Sequence, residues 1–302
     1  MKKDAPKNRW AFFGSSNFSV IVLDKLEFLE LLPQLIVTTP DKPKGRGLKI
    51  KTGAVKEWAD KRKIPVLAPT NLKNPETCAT VIAEFKKSGP WDVFLIASYG
   101  KIVPNEVLNI PTKNTLNIHP SLLPKFRGPS PIESAILNEN ETGVTIMKVD
   151  AQVDHGPIVA RKTVASQETM GTALIPDWPP YYADLEKALA ETGAELFAEI
   201  LPDWIAGKIQ TSEQDHDSAT FTKKFSKEDS LIDLTGNPKQ NLRKIRAFSD
   251  NRGAYFFQKQ KDREIRVTVI RAKIKNGELS LERVKPEGKK EMSYKDFIRG
   301  LR

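Results

Sequence analysis

Three side chains in this sequence have the types and placement to move a group onto an amine. Asn117 and His119 stand two apart in NTLNIHPSLLPKFRGPSP, Asn114 to Pro131, and Asp154 lies in DAQVDHG, Asp150 to Gly156. If Leu116 and Ile118 face a core, period-two alternation puts Asn117 and His119 on the opposite face of one strand. An imidazole can take a proton from an attacking amine. A nearby carboxylate orients it and favours its charged form. The Asn117 amide can donate to a carbonyl oxygen as it becomes tetrahedral. Together they describe acyl-type transfer without a covalent intermediate. Ser121 competes as a nucleophile but lacks the G-x-S-x-G elbow. His155 competes with His119, and His216 lies in a polar connection. A histidine that only makes a surface hydrogen bond at a strand end is the bland alternative.

The elements that must position these residues read as an open α/β sheet. RWAFFGSS gives a first strand and a glycine turn, followed by a helix over about Phe18 to Leu32. QLIVTT, the end of GAVKEWADKRKIPVLAP, WDVFLIASYG and NTLNIH supply further short strands, alternating with helical patterns. The continuous apolar run in WDVFLIASYG suits a strand buried on both faces. GPSPIESAILNEN reads as a helix, ETGVTIMKVD and GPIVARKTV as paired strands. DLEKALAETGAELFAEILPDWIAGK reads as a helix broken near Pro202, and QTSEQDHDSATF as a polar connection. Beyond it, NPKQNLRKIRAFSD is a helix capped by Asn237, and several short strands, two joined by KNG, suggest a small barrel. The expected domains are 1–207 and 208–302. The turn FFGSSNFS has one glycine and lacks the spacing of a dinucleotide fingerprint.

Composition narrows the classes. Cys78 is the single cysteine, which excludes an intrachain disulfide and a cysteine-based zinc site. No apolar run reaches the roughly 18–20 residues of a membrane span, and no signal-peptide core follows the basic N-terminus. A cytoplasmic location is expected. The net charge of +10 is uneven: Gln210 to Arg302 carries 22 Lys and Arg against 14 Asp and Glu. A basic module on a near-neutral body suggests a polyanionic partner, with plain solubility as the competing account. The loop DKPKGRGLKIK concentrates Lys42, Lys44, Arg46, Lys49 and Lys51 against one aspartate. Its prolines stiffen it, and its glycines let the backbone approach a ligand.

On LNIHPSLLPKFRGPSPIESAI, ETGVTIMKVDAQVDHGPIVA and ASYGKIVP, the chain resembles the formyltransferase family that uses 10-formyltetrahydrofolate. TPDKPKGRG, SATFTKKFSKEDSLID, IRAF and KPEGKKEMSYKDFIRG carry a narrower resemblance to members that formylate initiator methionyl-tRNA for translation initiation. The resemblance implies a Rossmann-like formyltransferase domain followed by a small oligonucleotide-fold-like β-barrel. It implies Asn117, His119 and Asp154 as the catalytic trio. Tyr99, Gly100, Ile102, Ser121, Leu122, Leu123 and Pro124 would border the folate. Lys42, Lys44, Arg46, Lys49 and Lys51 would approach the tRNA, with Arg46 foremost. No metal, no obligate protein partner and a monomer are implied. The chain departs from the family pattern in GSSNFSV, Gly14 to Val20, where G-T-P-x-F-A is usual, and at Pro120 and Pro129. Two other functions stay open at this point: formyl transfer to an amino sugar or other small amine, and non-catalytic RNA binding on a retained scaffold.

Overall fold

In the computed structural model, residues 8–44, 49–139, 141–166, 173–175, 178–250, 252–260 and 263–301 are described. The chain opens with β1 (Trp10–Phe13), α1 (Asn17–Phe28), β2 (Leu35–Val37), β3 (Lys42–Lys44), β4 (Lys49–Lys51), α2 (Ala54–Arg62) and β5 (Val66–Leu67). It continues through α3 (Pro75–Ser88), β6 (Val93–Ile96), α4 (Asn105–Leu108), β7 (Thr115–His119), α5 (Pro131–Asn138), β8 (Glu141–Lys148), β9 (Ile158–Ser166) and β10 (Ala173–Ile175). Then come α6 (Tyr182–Ile205), α7 (Pro238–Ala247), β11 (Tyr255–Gln260), β12 (Arg263–Lys275), β13 (Glu278–Pro286), β14 (Met292–Ser293) and α8 (Tyr294–Arg299). Two compact units result. One takes the described residues up to Arg127 with Gly143–Val164 and Lys187–Thr220; the other takes Gly128–Thr142, Ala165–Glu186 and the residues from Phe221 onward.

The first unit is built on a sheet in the spatial order β9-β8-β7-β6-β1-β2-β5. β1 pairs in parallel with β2 on one side and β6 on the other, and β6 pairs in parallel with β7. The chain therefore winds outward from β1 in one direction, then returns and winds in the other. That reversal makes a switch point at the carboxyl ends of β1 and β6, where open α/β sheets bind ligands. β8 runs antiparallel to β7. The central strands are buried on both faces because helices cover both sides. All four residues of β1 are fully buried. Phe13 anchors an aromatic cluster, with ring centroids 5.3 Å from Phe94, 5.8 Å from Tyr99 and 6.0 Å from Phe85. Each such contact adds about 0.5–1.5 kcal/mol beyond the area it buries.

Three local expectations change. The α1 helix stops at Phe28 rather than near Leu32, because Glu30 turns left-handed at φ 58° ahead of Pro33. Two arms of the basic loop are strands: β3 and β4 pair antiparallel, Lys42 opposite Lys51, Pro43 opposite Ile50 and Lys44 opposite Lys49. Arg46 lies outside the described residues. The α6 helix is not broken at Pro202, which sits inside it near the last turn. Leu201 and Trp204 around it are buried, and Trp204 Nε1 donates to the Lys113 carbonyl at 2.7 Å. Packing of this kind outweighs one missing helix hydrogen bond so near the end.

In the second unit, β11, β12, β13 and β14 form a four-stranded antiparallel sheet, the smaller oligonucleotide-fold-like part of the molecule. Asn276 and Gly277 join β12 to β13 with φ values of 52° and 81°. This two-residue loop needs positive φ at both positions, which Asn-Gly supplies. Asn237 caps α7 by accepting from the Lys239 and Gln240 amides. Leu242 and Ile245 of α7 join Phe256, Val267, Val269, Val284 and Phe297 in one core. Among the described residues, no helix is long and apolar enough to cross a membrane.

Candidate active site

The carboxyl ends of β1, β6 and β7 converge on the switch point. The β1 turn is held by serines that occupy the GSSNFSV departure. Ser16 and Ser19 cap α1 reciprocally, and Ser19 Oγ donates to the Ala97 carbonyl at 2.6 Å. Ser15 Oγ donates to the Tyr99 carbonyl at 2.8 Å. The turn is thereby tied to the end of β6 with its polar groups partnered. Asn117 on β7 stands in register with Ile96 of β6 and Met147 of β8, and is half-buried. His119 closes the strand at 4% exposure.

The structure brings His119 and Asp154 together. Nδ1 of His119 is 3.5 Å from Oδ1 of Asp154, an ion-pair distance longer than a strong hydrogen bond. On the other side of the ring, Nε2 lies 3.0 Å from the Phe126 carbonyl oxygen. A carbonyl only accepts, so Nε2 carries the proton in that contact. With Nε2–H so used, the neutral ring turns the lone pair of Nδ1 toward the carboxylate, whereas the doubly protonated ring donates on both sides. Asp154 adopts a left-handed φ of 51°, and Phe126 one of 60°. Both are costly for residues with a Cβ and persist only where their surroundings hold them.

The other histidines have different surroundings. Nδ1 of His155 is 2.7 Å from Oδ2 of Asp150, and its ring stacks on His216 with centroids 4.1 Å apart. Ser121 is fully buried and its hydroxyl donates to the Lys125 carbonyl at 2.6 Å, so it is sequestered from an attacking role.

The residues expected along the folate separate into two kinds. Gly100 and Ile102 are exposed just beyond the end of β6, Gly100 with a φ of 71°. Tyr99 points its ring inward, where burial pushes its phenol up to about 12. Its side chain is therefore core, and only its backbone faces the loop. Leu123 is buried, its amide donating to Thr145 Oγ1 at 3.0 Å and its carbonyl accepting from Arg161 Nη1 at 3.0 Å. Leu122 and Pro124 are half-buried. Among the described residues, no group of three or more His, Cys, Asp or Glu side chains could hold a metal ion.

Sequence reasoning missed Arg127 and Gln214. Both are 4% exposed; Arg127 follows Phe126 in the loop after β7, and Gln214 donates to the Asp154 carbonyl. Arg127 lies in the signature segment, but nothing local marks it as buried. Gln214 belongs to the segment read as a plain connection.

Residues 9–173 match the model of the family described as formyl transferase. The chain belongs to that family, and it is a formyltransferase by the extent of the match. Along 97% of its length it is 36% identical to the methionyl-tRNA formyltransferase of Dictyoglomus turgidum, of which it covers 96%. Its fold is similar to a 4-N formyltransferase from Francisella tularensis, with a TM-score of 0.61 and 17% identity over 88% of this chain and 99% of that one. It is also similar to HypX from Aquifex aeolicus, solved with tetrahydrofolic acid, with a TM-score of 0.61 and 18% identity over 97% of this chain and 47% of that one.

Proposed function

We propose that this formyltransferase moves the formyl group of 10-formyltetrahydrofolate to the α-amine of initiator methionyl-tRNA, acting as a cytoplasmic monomer. The observation that carries the acceptor is the length of the kinship. The likeness to a methionyl-tRNA formyltransferase spans 97% of the chain and so includes the basic C-terminal sequence. The folate supplies the formyl carbon near Gly100 and Ile102. The neutral α-amine attacks that carbon, and a carbon–nitrogen bond forms. The Asn117 amide donates to the oxygen as it takes up negative charge. His119, held by Asp154, stabilises that charge and relays the amine's proton toward the departing folate nitrogen. The carbon–nitrogen bond to the folate then breaks, leaving formylmethionyl-tRNA and tetrahydrofolate.

The β3–β4 hairpin is proposed to meet the acceptor end of the tRNA. Its register pairs Lys42 with Lys51 and Lys44 with Lys49, and this basic sequence is what suits it to a phosphate backbone. The segment 208–302 is proposed to hold the tRNA from the side. An A-form stem would be met through its phosphates and 2′-hydroxyls rather than its major groove.

The test is transfer of labelled formyl from 10-formyltetrahydrofolate, with uncharged tRNA, free methionine and an amino sugar nucleotide as the competing acceptors. Label on charged initiator tRNA alone is the expected result. Label on the sugar instead would replace the acceptor, and folate-independent tRNA binding without transfer would favour an RNA-binding role. Arg46→Ala is expected to lower kcat/KM for the tRNA about tenfold or more, as loss of one charged contact of about 1.5–3 kcal/mol implies. An unchanged kcat/KM would remove Arg46 from the interface. Affinity for tRNA is also expected to fall steeply between 50 and 200 mM salt, on the order of 10³-fold for six phosphate contacts.

A further inference from the structure

The polar segment after α6 is not a plain connection. Ser212 exchanges two backbone hydrogen bonds with Ile158 at the start of β9, at 2.8 and 2.9 Å. At its other end Thr220 is laced to the loop after β7. Its carbonyl accepts from the Arg127 amide at 2.9 Å, its hydroxyl from the Phe126 amide at 2.8 Å, and its own amide donates to Pro124 at 3.3 Å. The segment thereby lies between the two stretches of chain that face the His119 ring.

Gln214 sits in its middle. Nε2 donates to the Asp154 carbonyl at 3.0 Å and to the Gly156 carbonyl at 2.7 Å. Oε1 accepts from Arg127 Nε at 3.1 Å and Nη2 at 2.6 Å. Both amide protons and both acceptor positions are in use, so the amide has one orientation only. Turning it over would set NH₂ against the guanidinium and oxygen against two carbonyls. Arg127 Nη2 also donates to His216 Nδ1 at 2.9 Å, and the stacked His155 ring runs on to Asp150.

The consequence concerns the two acceptors that flank His119. One is the Asp154 carboxylate and the other the Phe126 carbonyl. Both belong to non-glycine residues with left-handed backbones, conformations that persist only where their surroundings hold them. Gln214 binds the carbonyls on either side of residue 155, while Thr220 holds the Phe126 and Arg127 amides.

We propose that Gln214 and Arg127 are positioning residues for formyl transfer: the Gln214 amide locks the Asp154 turn, and with it the carboxylate, against His119. The proposal rests on reading His119 and Asp154 as the reacting pair. Gln214→Glu is the discriminating variant. It keeps the size of the side chain and both acceptor positions for Arg127, but removes both donors to the turn. A displacement of about 1 Å at a reacting group costs about 10²-fold. The expected result is a kcat lowered about 10- to 100-fold, KM for folate and acceptor within about twofold of wild type, and a shifted pH profile of kcat. His119→Asn is run beside it. Wild-type kcat in Gln214→Glu with inactive His119→Asn overturns the positioning role and leaves the reacting pair standing. Activity retained in His119→Asn overturns the pair and the positioning role together. If Gln214→Glu does not fold, the double variant Arg127→Met/Gln214→Met removes the same donors together with the guanidinium, so no buried charge is left unpaired. It must show the same loss of kcat, and wild-type turnover in it overturns the proposal.

Discussion

Replacing His119 with asparagine is expected to lower the kcat of formyl transfer by about 10²–10⁴-fold, the range that a positioned acid–base group contributes. The ring is 4% exposed and touches an acceptor on each side, the Asp154 carboxylate at 3.5 Å and the Phe126 carbonyl at 3.0 Å. Asparagine can still donate, but its amide is shorter than the ring and cannot span both partners. It also has no ring nitrogen that can accept a proton from the amine. Two effects therefore compete as explanations of the loss, one chemical and one structural. The structural effect is bounded: one lost contact to a partly exposed carboxylate is worth about 1–3 kcal/mol of stability, which leaves a protein of ordinary stability largely folded. The chemical effect appears in kcat and leaves binding alone. Single-turnover transfer and filter binding of charged tRNA, run on the same preparation, separate them. Lost turnover with tRNA affinity within about twofold of wild type is expected, since the ring is not a phosphate contact. Turnover near wild type would remove His119 from the chemistry.

The legible parts of this molecule were those with local signals. NTLNIH declared its strand by alternation, and its polar positions fall at the end of β7 beside the switch point. Asn237 and the Asn276–Gly277 pair announced a cap and a turn through conformations that few other residues accept. The pairing of β3 with β4 was not legible, because Pro43 interrupts the strand pattern. Pro202 misled for the opposite reason: a local rule was outweighed by the burial of Leu201 and Trp204. The Gln214 contacts had no local signal. They join residues 60 and 87 positions apart, and a polar run reads as solvent-exposed until each polar atom is given a partner. Burial of such a group is a property of the partners, which no periodicity records.

Gly156→Ala is expected to destabilise the protein by about 1–3 kcal/mol or more and to cost activity beyond that. A Cβ at this position would lie 2.0 Å from the Lys148 carbonyl oxygen and 3.1 Å from its carbon. These are backbone atoms of β8, which cannot swing aside as a side chain can. The same Lys148 donates its amide to the Pro157 carbonyl at 2.9 Å, so the strand and the turn are already pinned together. Against the clash stands the usual gain from glycine to alanine, about 0.4–1 kcal/mol through a less mobile unfolded chain. That gain presumes a native position with room for the methyl group, and here the approach is far inside ordinary contact. The turn must therefore move away from β8. It carries the Gly156 carbonyl bound by Gln214 and, two residues earlier, the Asp154 carboxylate that faces His119. Urea unfolding and kcat measured together give the test. A lowered unfolding midpoint with a kcat reduced even in the folded fraction is expected. Gly53→Ser serves as the contrast: nothing lies within 4 Å of a Cβ there, and the residue caps α2. Serine at an N-cap is neutral to stabilising by a few tenths of a kcal/mol, roughly, so its midpoint and kcat should match wild type. Equal behaviour of the two glycine variants would mean that the Asp154 turn tolerates displacement, and that the spacing between its carboxylate and His119 does not limit the reaction.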